Sequence, residues 1–196
     1  MHPVLLALVS FFVFTGSAIA PIHADNALAA SDSGKLALAA VEEIAPSYTV
    51  KLTSYNAVPW QTDSNPSVTA SGVPSNPEVV AARSRDLAEE LPFGTVIKVT
   101  RTAPDAGSCG FGAVEHLVGY RVVADTMNAR MVNKLDVELD HRDTVVHNGR
   151  AYNPSIVLGI CDNVTVTVVG HLELHQVPAT QAELAGMFDK NVLARN

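Results

Sequence analysis

Two aspartates, Asp125 and Asp136, are the side chains in this sequence best placed for acid–base chemistry. Asp125 follows the apolar segment 117–124, and Asp136 lies between Leu135 and Val137. A carboxyl group flanked by apolar residues is partly removed from water, which raises its pKa toward the range that a general acid needs at neutral pH. On spacing alone, the commoner arrangement is that both aspartates cap turns or accept hydrogen bonds from backbone N–H groups. The pair is therefore a candidate site with an open structural alternative.

The histidines form no clear metal-binding pattern. His171 and His175 would lie on one face of a helix, with Glu173 between them, but no carboxylate spacing supports a metal site. Ser71 precedes Gly72 without the strand-to-helix setting that activates a nucleophilic serine. We expect neither a metal nor another cofactor.

Short strands separated by long loops must position the two aspartates. Alternating or apolar segments predict strands at 48–55, 95–100, 117–124, 135–139 and 164–169, and 79–82 is a short apolar run. Loops rich in turn residues are predicted at 56–78 and 101–116, a polar surface insertion at 140–153, a helical turn at 87–91 and a short helix at 154–161. Short strands with few helices are typical of a small barrel, because closure removes the exposed sheet edges.

The N-terminal segment predicts export. Residues 4–14 are apolar and small residues follow, as in a signal peptide, and the run is too short to span a bilayer comfortably. Cleavage is expected after Ala24 or Ala29, and a retained membrane anchor is the alternative. We divide the chain into a signal peptide (1–24), a linker (25–47), the barrel domain (48–171) and a tail with a short helix (172–196).

Charge and cysteine content narrow the class of protein further. The formal net charge of −7 argues against a nucleic-acid partner, because phosphate backbones repel an acidic chain. In an exported protein two cysteines often pair, so Cys109 and Cys161 are expected to form one disulfide, with two buried thiols as the alternative. The chain has no CxxC motif, which makes a thiolate metal site unfavourable.

Several short motifs in a fixed order give the sequence a family resemblance over about residues 50 to 170. The matched residues are Thr53-Ser54-Tyr55, Thr69-Ala70-Ser71-Gly72, the run 80–86 ending at Asp86, Pro92-Phe93-Gly94-Thr95, Gly119-Tyr120, Asp125-Thr126, Asn133, Asp136-Val137 and 165–168. In this set the sequence resembles the 3D domain family, named for three aspartates, and the C-terminal part of the membrane-bound lytic transglycosylase A family.

The resemblance implies a mainly β fold, a six-stranded double-psi β-barrel with short helices and long loops, in which the three aspartates meet in one groove. Asp136 matches the position of the general acid/base. It would protonate the glycosidic oxygen between MurNAc and GlcNAc and then take the proton of the C6 hydroxyl, which gives a 1,6-anhydro product without water. Asp125 would orient or electrostatically support it, and Asp86 would complete the trio.

The same resemblance implies the partner and the remaining site residues. The partner is the glycan strand of peptidoglycan, with Thr69, Tyr55 and Asn133 as sugar contacts. The protein is expected in the periplasm, at the outer-membrane face or in the cell wall, as a monomer without a membrane span once the signal peptide is removed. Trp60 would either stack on a sugar face or anchor its loop against the barrel.

One departure from the family pattern keeps a second function class open. The transglycosylases have a glycine-rich loop after the middle aspartate, whereas this sequence has Met127-Asn128-Ala129-Arg130. The alternative is a non-catalytic, expansin-like domain that binds or loosens the wall, or an interaction domain of a larger wall-synthesis complex. A simple hydrolase is a variant of the enzyme hypothesis.

Overall fold

A closed barrel of six β-strands forms the centre of the chain in the computed structural model, which describes residues 45–101 and 109–189. The strands of the described part are β1 (Ser47–Tyr55), β2 (Val80–Arg83), β3 (Thr95–Thr100), β4 (Tyr120–Thr126), β5 (Lys134–Glu138), β6 (Val145–His147), β7 (Arg150–Tyr152) and β8 (Cys161–His171). The predicted signal peptide, most of the predicted linker and the last residues of the tail lie outside the described residues.

The barrel strands follow one another in the order β1-β5-β2-β4-β3-β8, and β8 pairs with β1 to close the ring. Two pairs are parallel, β1 with β5 and β2 with β4. The other neighbours, including β2 with β5, are antiparallel. The expectation of a mainly β, six-stranded barrel is confirmed at this level of detail.

Alternating side chains fill the barrel. Leu135 and Val137 of β5 and Val164 and Val166 of β8 are fully buried in one apolar cluster, and the residues between them point the other way. In β5 the other face carries polar side chains, including Asp136. The period of two that predicted the strands therefore also separates the core from the site.

In the described part of the chain, three α-helices and two short 3-10 helices cover the barrel. They are α1 (Phe111–Val118), α2 (Pro154–Leu158), α3 (Gln181–Phe188) and the 3-10 turns Arg85–Leu87 and Leu174–Gln176. The predicted loop at 101–116 is wrong from Phe111 onward, and the strand predicted to begin at residue 117 begins at Tyr120 instead. Residues 102–108 of the predicted loop lie outside the described residues. Phe111, Val114 and Val118 are buried at helical spacing, and the strand begins only after Gly119, whose φ is +31°. Burial of the apolar face of this helix contributes more free energy than the loop preference of the flanking glycines.

The predicted polar insertion contains a hairpin. Its strands, β6 and β7, are joined by Asn148 and Gly149, whose φ values are 50° and 75°. Asn-Gly is the sequence that tight hairpin turns with positive φ prefer. The insertion is therefore ordered by its own turn chemistry.

A C-terminal helix and a disulfide link further segments of the domain to the barrel. Helix α3 begins with the predicted capping box, in which Thr180 and Glu183 exchange side-chain and backbone hydrogen bonds, and its Leu184 is fully buried. Cys109 and Cys161 are bonded as a disulfide that joins the start of α1 to the start of β8. Within the described residues, no helix has the length and hydropathy needed to cross a membrane.

Candidate functional site

A cleft of about 520 Å³ opens where β2, β4 and β5 meet the long loop after β1. Asp125, Asp136 and Ala82 line it from the strands, and Thr69 and Ala70 line it from the loop. Strand β2 lies between the two acidic strands, and Ala82 is the register partner of both Asp125 and Asp136. The two aspartates thus flank one small residue, with roughly 10 Å between their Cα atoms, two strand spacings.

Asp136 is a half-buried carboxyl group of this cleft. It lies in β5 between Thr53 of β1 and Ala82 of β2, and its Oδ1 atom is buried without a hydrogen-bond partner among the described residues. Burial raises its pKa to about 6, and the negative charge of Asp125 adds to the rise, although the Thr53 hydroxyl and Lys134 oppose it. Asp136 can therefore hold a proton close to neutral pH and release it again.

Asp125 has the opposite environment. Its Oδ1 accepts the backbone N–H groups of Ala70 (2.9 Å) and Thr126 (2.8 Å), and its Oδ2 accepts the Tyr55 hydroxyl (3.1 Å). Three donors from three segments hold this carboxylate in one orientation. The backbone N–H of Ser71 also donates to the carbonyl of Ala124 (3.1 Å), so the turn that carries Ala70 is fixed against the end of β4.

The structure does not bring Asp86 to the other two aspartates. Asp86 is exposed on the 3-10 turn and is not among the residues that line the cleft. Its Oδ2 accepts the backbone N–H of Asn133 (2.8 Å), and the Ser84 hydroxyl and that N–H lower its pKa. Asn133 has a φ of 50° and donates to the carbonyl of Thr49 (3.2 Å). Both residues hold the turn before β5, and the expected trio of aspartates is reduced to a pair.

Tyr55 and Thr69 line the cleft as predicted, but their hydroxyl groups are already engaged. The Tyr55 hydroxyl donates toward Asp125 and Glu138, and only 8% of the residue is exposed. The Thr69 hydroxyl donates to the carbonyl of Val73 (2.9 Å) and lies 3.1 Å from the Ser71 hydroxyl. In the free protein, the hydrogen bonds of both hydroxyl groups therefore stabilise the wall of the cleft.

Glu138 is a buried neighbour of the cleft residue Tyr55, and the sequence analysis did not select it. It is 1% exposed, and its Oε2 accepts the backbone N–H of Asn76 (3.2 Å) and the Tyr55 hydroxyl (3.4 Å). Burial raises its pKa to about 7, against the opposing effects of Asn76, Tyr55 and Arg121. A signal was present, because Glu138 lies two residues after Asp136 and hence on the same face of β5.

Arg121 is a second buried charged residue that the sequence analysis did not select. It is fully buried in β4 and donates to the carbonyl groups of Leu117, Val118 (2.8 Å) and Pro77 (2.6 Å). Burial lowers its pKa to about 10, so it keeps its charge at neutral pH. Through these hydrogen bonds, the Arg121 side chain links the long loop to the end of α1.

Trp60 is 78% exposed on the long loop, next to the cleft-lining Gln61, so the hypothesis that it anchors this loop against the barrel is wrong. Across residues 45–101 and 109–189, no three histidine, cysteine or acidic side chains are grouped so that they could hold a metal ion.

The fold and the cleft together define a closed-barrel, mainly β protein with a pair of dissimilar carboxylates. No protein-family model matches the chain, and no curated protein matches it significantly.

Proposed function

We propose that the chain is an exported, peptidoglycan-active protein of the 3D type that cleaves the MurNAc–GlcNAc bond as lytic transglycosylases do, with Asp136 as general acid/base. The observation that carries the proposal is the state of Asp136. Its Oδ1 is buried and unpartnered, the residue lines an open cleft, and its pKa is raised to about 6. A group that first donates and then accepts a proton needs a pKa close to the pH at which it works.

The strand pairing supports a double-psi barrel for the finer fold. Two parallel pairs, β1–β5 and β2–β4, are joined through the antiparallel β2–β5 contact in a closed ring of six strands. The arrangement gives each half of the ring one parallel crossover. Asp125 and Asp136 lie on β4 and β5, on either side of the central β2.

The proposed reaction uses the difference between the two carboxylates. Protonated Asp136 donates its proton to the glycosidic oxygen as the bond from that oxygen to C1 breaks. Asp125, fixed by its three donors, offers a negative charge to the positive charge that develops at C1. The C6 hydroxyl oxygen then bonds to C1 while ionised Asp136 accepts its proton, so no water is consumed and Asp136 returns to its starting state.

A second function, glycan binding without cleavage, is favoured by one observation. The Trp60 indole is exposed beside the cleft, where its flat face is free to stack on a sugar ring. In this case the two aspartates would contact the ligand without transferring protons. The same digestion experiment separates the two functions.

The test is digestion of purified peptidoglycan with the wild-type protein, Asp136→Asn and the exposed control Asp143→Asn, followed by mass spectrometry of the soluble products. We expect anhydro-muropeptides from wild type and control, and a loss of at least about 100-fold in Asp136→Asn, the lower end of general-acid contributions. Products with reducing ends would replace the transglycosylase with a hydrolase. Sedimentation with the wall without product release would establish the binding function instead.

A further inference from the structure

The hydroxyl of Tyr55 is shared between two carboxyl groups, and the proposed reaction uses only one of them. Its oxygen lies 3.1 Å from Oδ2 of Asp125 and 3.4 Å from Oε2 of Glu138. Tyr55 and Glu138 are register partners on β1 and β5, which fixes the longer contact through the backbone pairing. A hydroxyl proton shared between two ionised acceptors bonds more weakly to each, so the protonation state of Glu138 sets how strongly Tyr55 donates to Asp125.

Several titratable or charged groups surround Glu138, so its protonation state affects more than the hydrogen bond to Tyr55. Titratable or charged groups face it from β1 (Tyr55) and from β4 (Arg121 and Asp125), and the loop before β2 supplies the N–H of Asn76. Arg121, in turn, is influenced by Glu78. Burial and the two nearby carboxylates raise the pKa of Tyr55 far above its ordinary value, so this hydroxyl remains a donor across the physiological range.

We propose that Glu138 is a positioning residue that acts on Asp125 through the Tyr55 hydroxyl. When Glu138 is protonated, it donates to the Tyr55 oxygen, Tyr55 donates to Asp125, and the chain of hydrogen bonds is complete. When Glu138 is ionised, it competes for the Tyr55 proton, and Asp125 loses part of one of its three donors. The shorter distance on the Asp125 side agrees with Tyr55 donating there.

The proposal rests on the proposed function only in assigning Asp125 a role in the cleft, so its first test needs no activity. The side-chain carboxyl ¹³C resonances of Asp125 and Glu138 are followed by NMR from pH 4 to pH 9 in the intact protein. In wild type we expect the Asp125 resonance to show an inflection at the pH where Glu138 titrates. Two conservative variants, Tyr55→Phe and Glu138→Gln, and the exposed control Glu90→Gln are measured alongside it.

The variants separate a hydrogen-bonded relay from simple charge repulsion. Glu138→Gln should abolish this inflection of the Asp125 resonance. Tyr55→Phe should reduce it at least about twofold while Glu138 itself still titrates, and Glu90→Gln should leave it unchanged. An inflection of full size in Tyr55→Phe would overturn the proposal, because the coupling would then be through space. Absence of the inflection in wild type would overturn it as well.

Measurement of peptidoglycan cleavage is a second test, and it distinguishes the positioning role of Glu138 from the transglycosylase function. If cleavage is observed, Tyr55→Phe should lower kcat with little change in KM, since Tyr55 acts on Asp125 and its hydroxyl is already engaged in the free protein. If the NMR coupling is present but neither the wild-type protein nor any variant cleaves peptidoglycan, the transglycosylase assignment fails. The positioning role of Glu138 then still holds. A change in KM alone would contradict positioning and assign Tyr55 to ligand contact.

Discussion

At the scale of single residues, the cleft contains two aspartates with different surroundings. Asp125 accepts three hydrogen bonds, two from the backbone, whereas Oδ1 of Asp136 is buried with none. Hydrogen bonds stabilise a carboxylate, and burial without them stabilises the neutral acid. A division of this kind, one fixed charge and one proton carrier, is the pattern by which carboxylate pairs take different catalytic roles.

The buried charge of Asp136 should reduce stability at neutral pH. Its pKa is about 6 in the folded protein against an ordinary 3.8, so its favourable contribution is full below pH 4 and is lost as the pH rises through 6. Asp136→Asn removes a charge that is costly to bury, and should raise the free energy of unfolding at pH 8 by up to about 3 kcal/mol. Urea unfolding at pH 4 and pH 8 measures the difference, which should be small at pH 4.

Asp140 offers a control with the opposite sign. Hydrogen bonds from Arg142 lower the pKa of Asp140 to about 2, so its contribution is present above the ordinary 3.8 and is lost as the pH falls through 2. Asp140→Asn should therefore destabilise the protein at pH 8. A gain in Asp136→Asn that is equal at both pH values would contradict the burial of the Asp136 charge.

At the scale of elements, one strand and one helix show what the sequence could and could not predict. The period of two predicted β5 to within a residue, and it also places Asp136 and Glu138 on one face. The pKa of Glu138 depends on Tyr55, Asn76 and Arg121, which come from distant segments. Local pattern carries no information on such partners, because they are set by strand order around the barrel.

The position of Asp86 and the existence of helix α1 could not be predicted from the sequence, for the same physical reason. Asp86 fits its motif position, yet its carboxylate accepts a hydrogen bond from the backbone N–H of Asn133, 47 residues later in the chain. Helix α1 was hidden by the flanking glycines Gly110 and Gly119, whereas its buried face packs against α2 and the barrel core. In both cases tertiary contacts decided between options that were close in local free energy.

Helix α3 should be part of the cooperative fold, because its main apolar contact is fully buried. Leu184 lies in the cluster that contains Val80, Val96 and Val122 of three barrel strands. Leu184→Ala removes that contact and leaves a cavity, so we expect a loss of about 3 kcal/mol in the free energy of unfolding. Equilibrium unfolding in urea measures it, with Met187→Ala, on the more exposed side of the same helix, as the matched control. Equal effects of the two variants would mean that α3 is only loosely attached.

At the scale of the whole molecule, closure of the barrel depends on contacts between segments far apart in the chain. Strand β1 pairs with both β5 and β8, and β8 also pairs with β3. The disulfide between Cys109 and Cys161 spans 52 residues of this path, a stretch that contains α1, β4 and β5 and therefore both cleft aspartates. A cross-link of this kind acts mainly on the unfolded chain, by limiting the conformations open to it.

Removal of the disulfide should therefore lower stability without changing the cleft. For a loop of this length the chain-entropy model gives about 4 kcal/mol, so Cys109→Ala/Cys161→Ala should unfold at a much lower urea concentration than wild type. Asp125 and Asp136 are held by strand pairing and backbone N–H groups, so below the unfolding transition the variant should keep the wild-type ¹³C titration of both carboxyl groups. Reductant should destabilise wild type to the same extent and leave the double variant unaffected. A changed Asp136 titration in the folded variant would show that the cross-link instead shapes the cleft, since the unfolded state has no influence on that measurement.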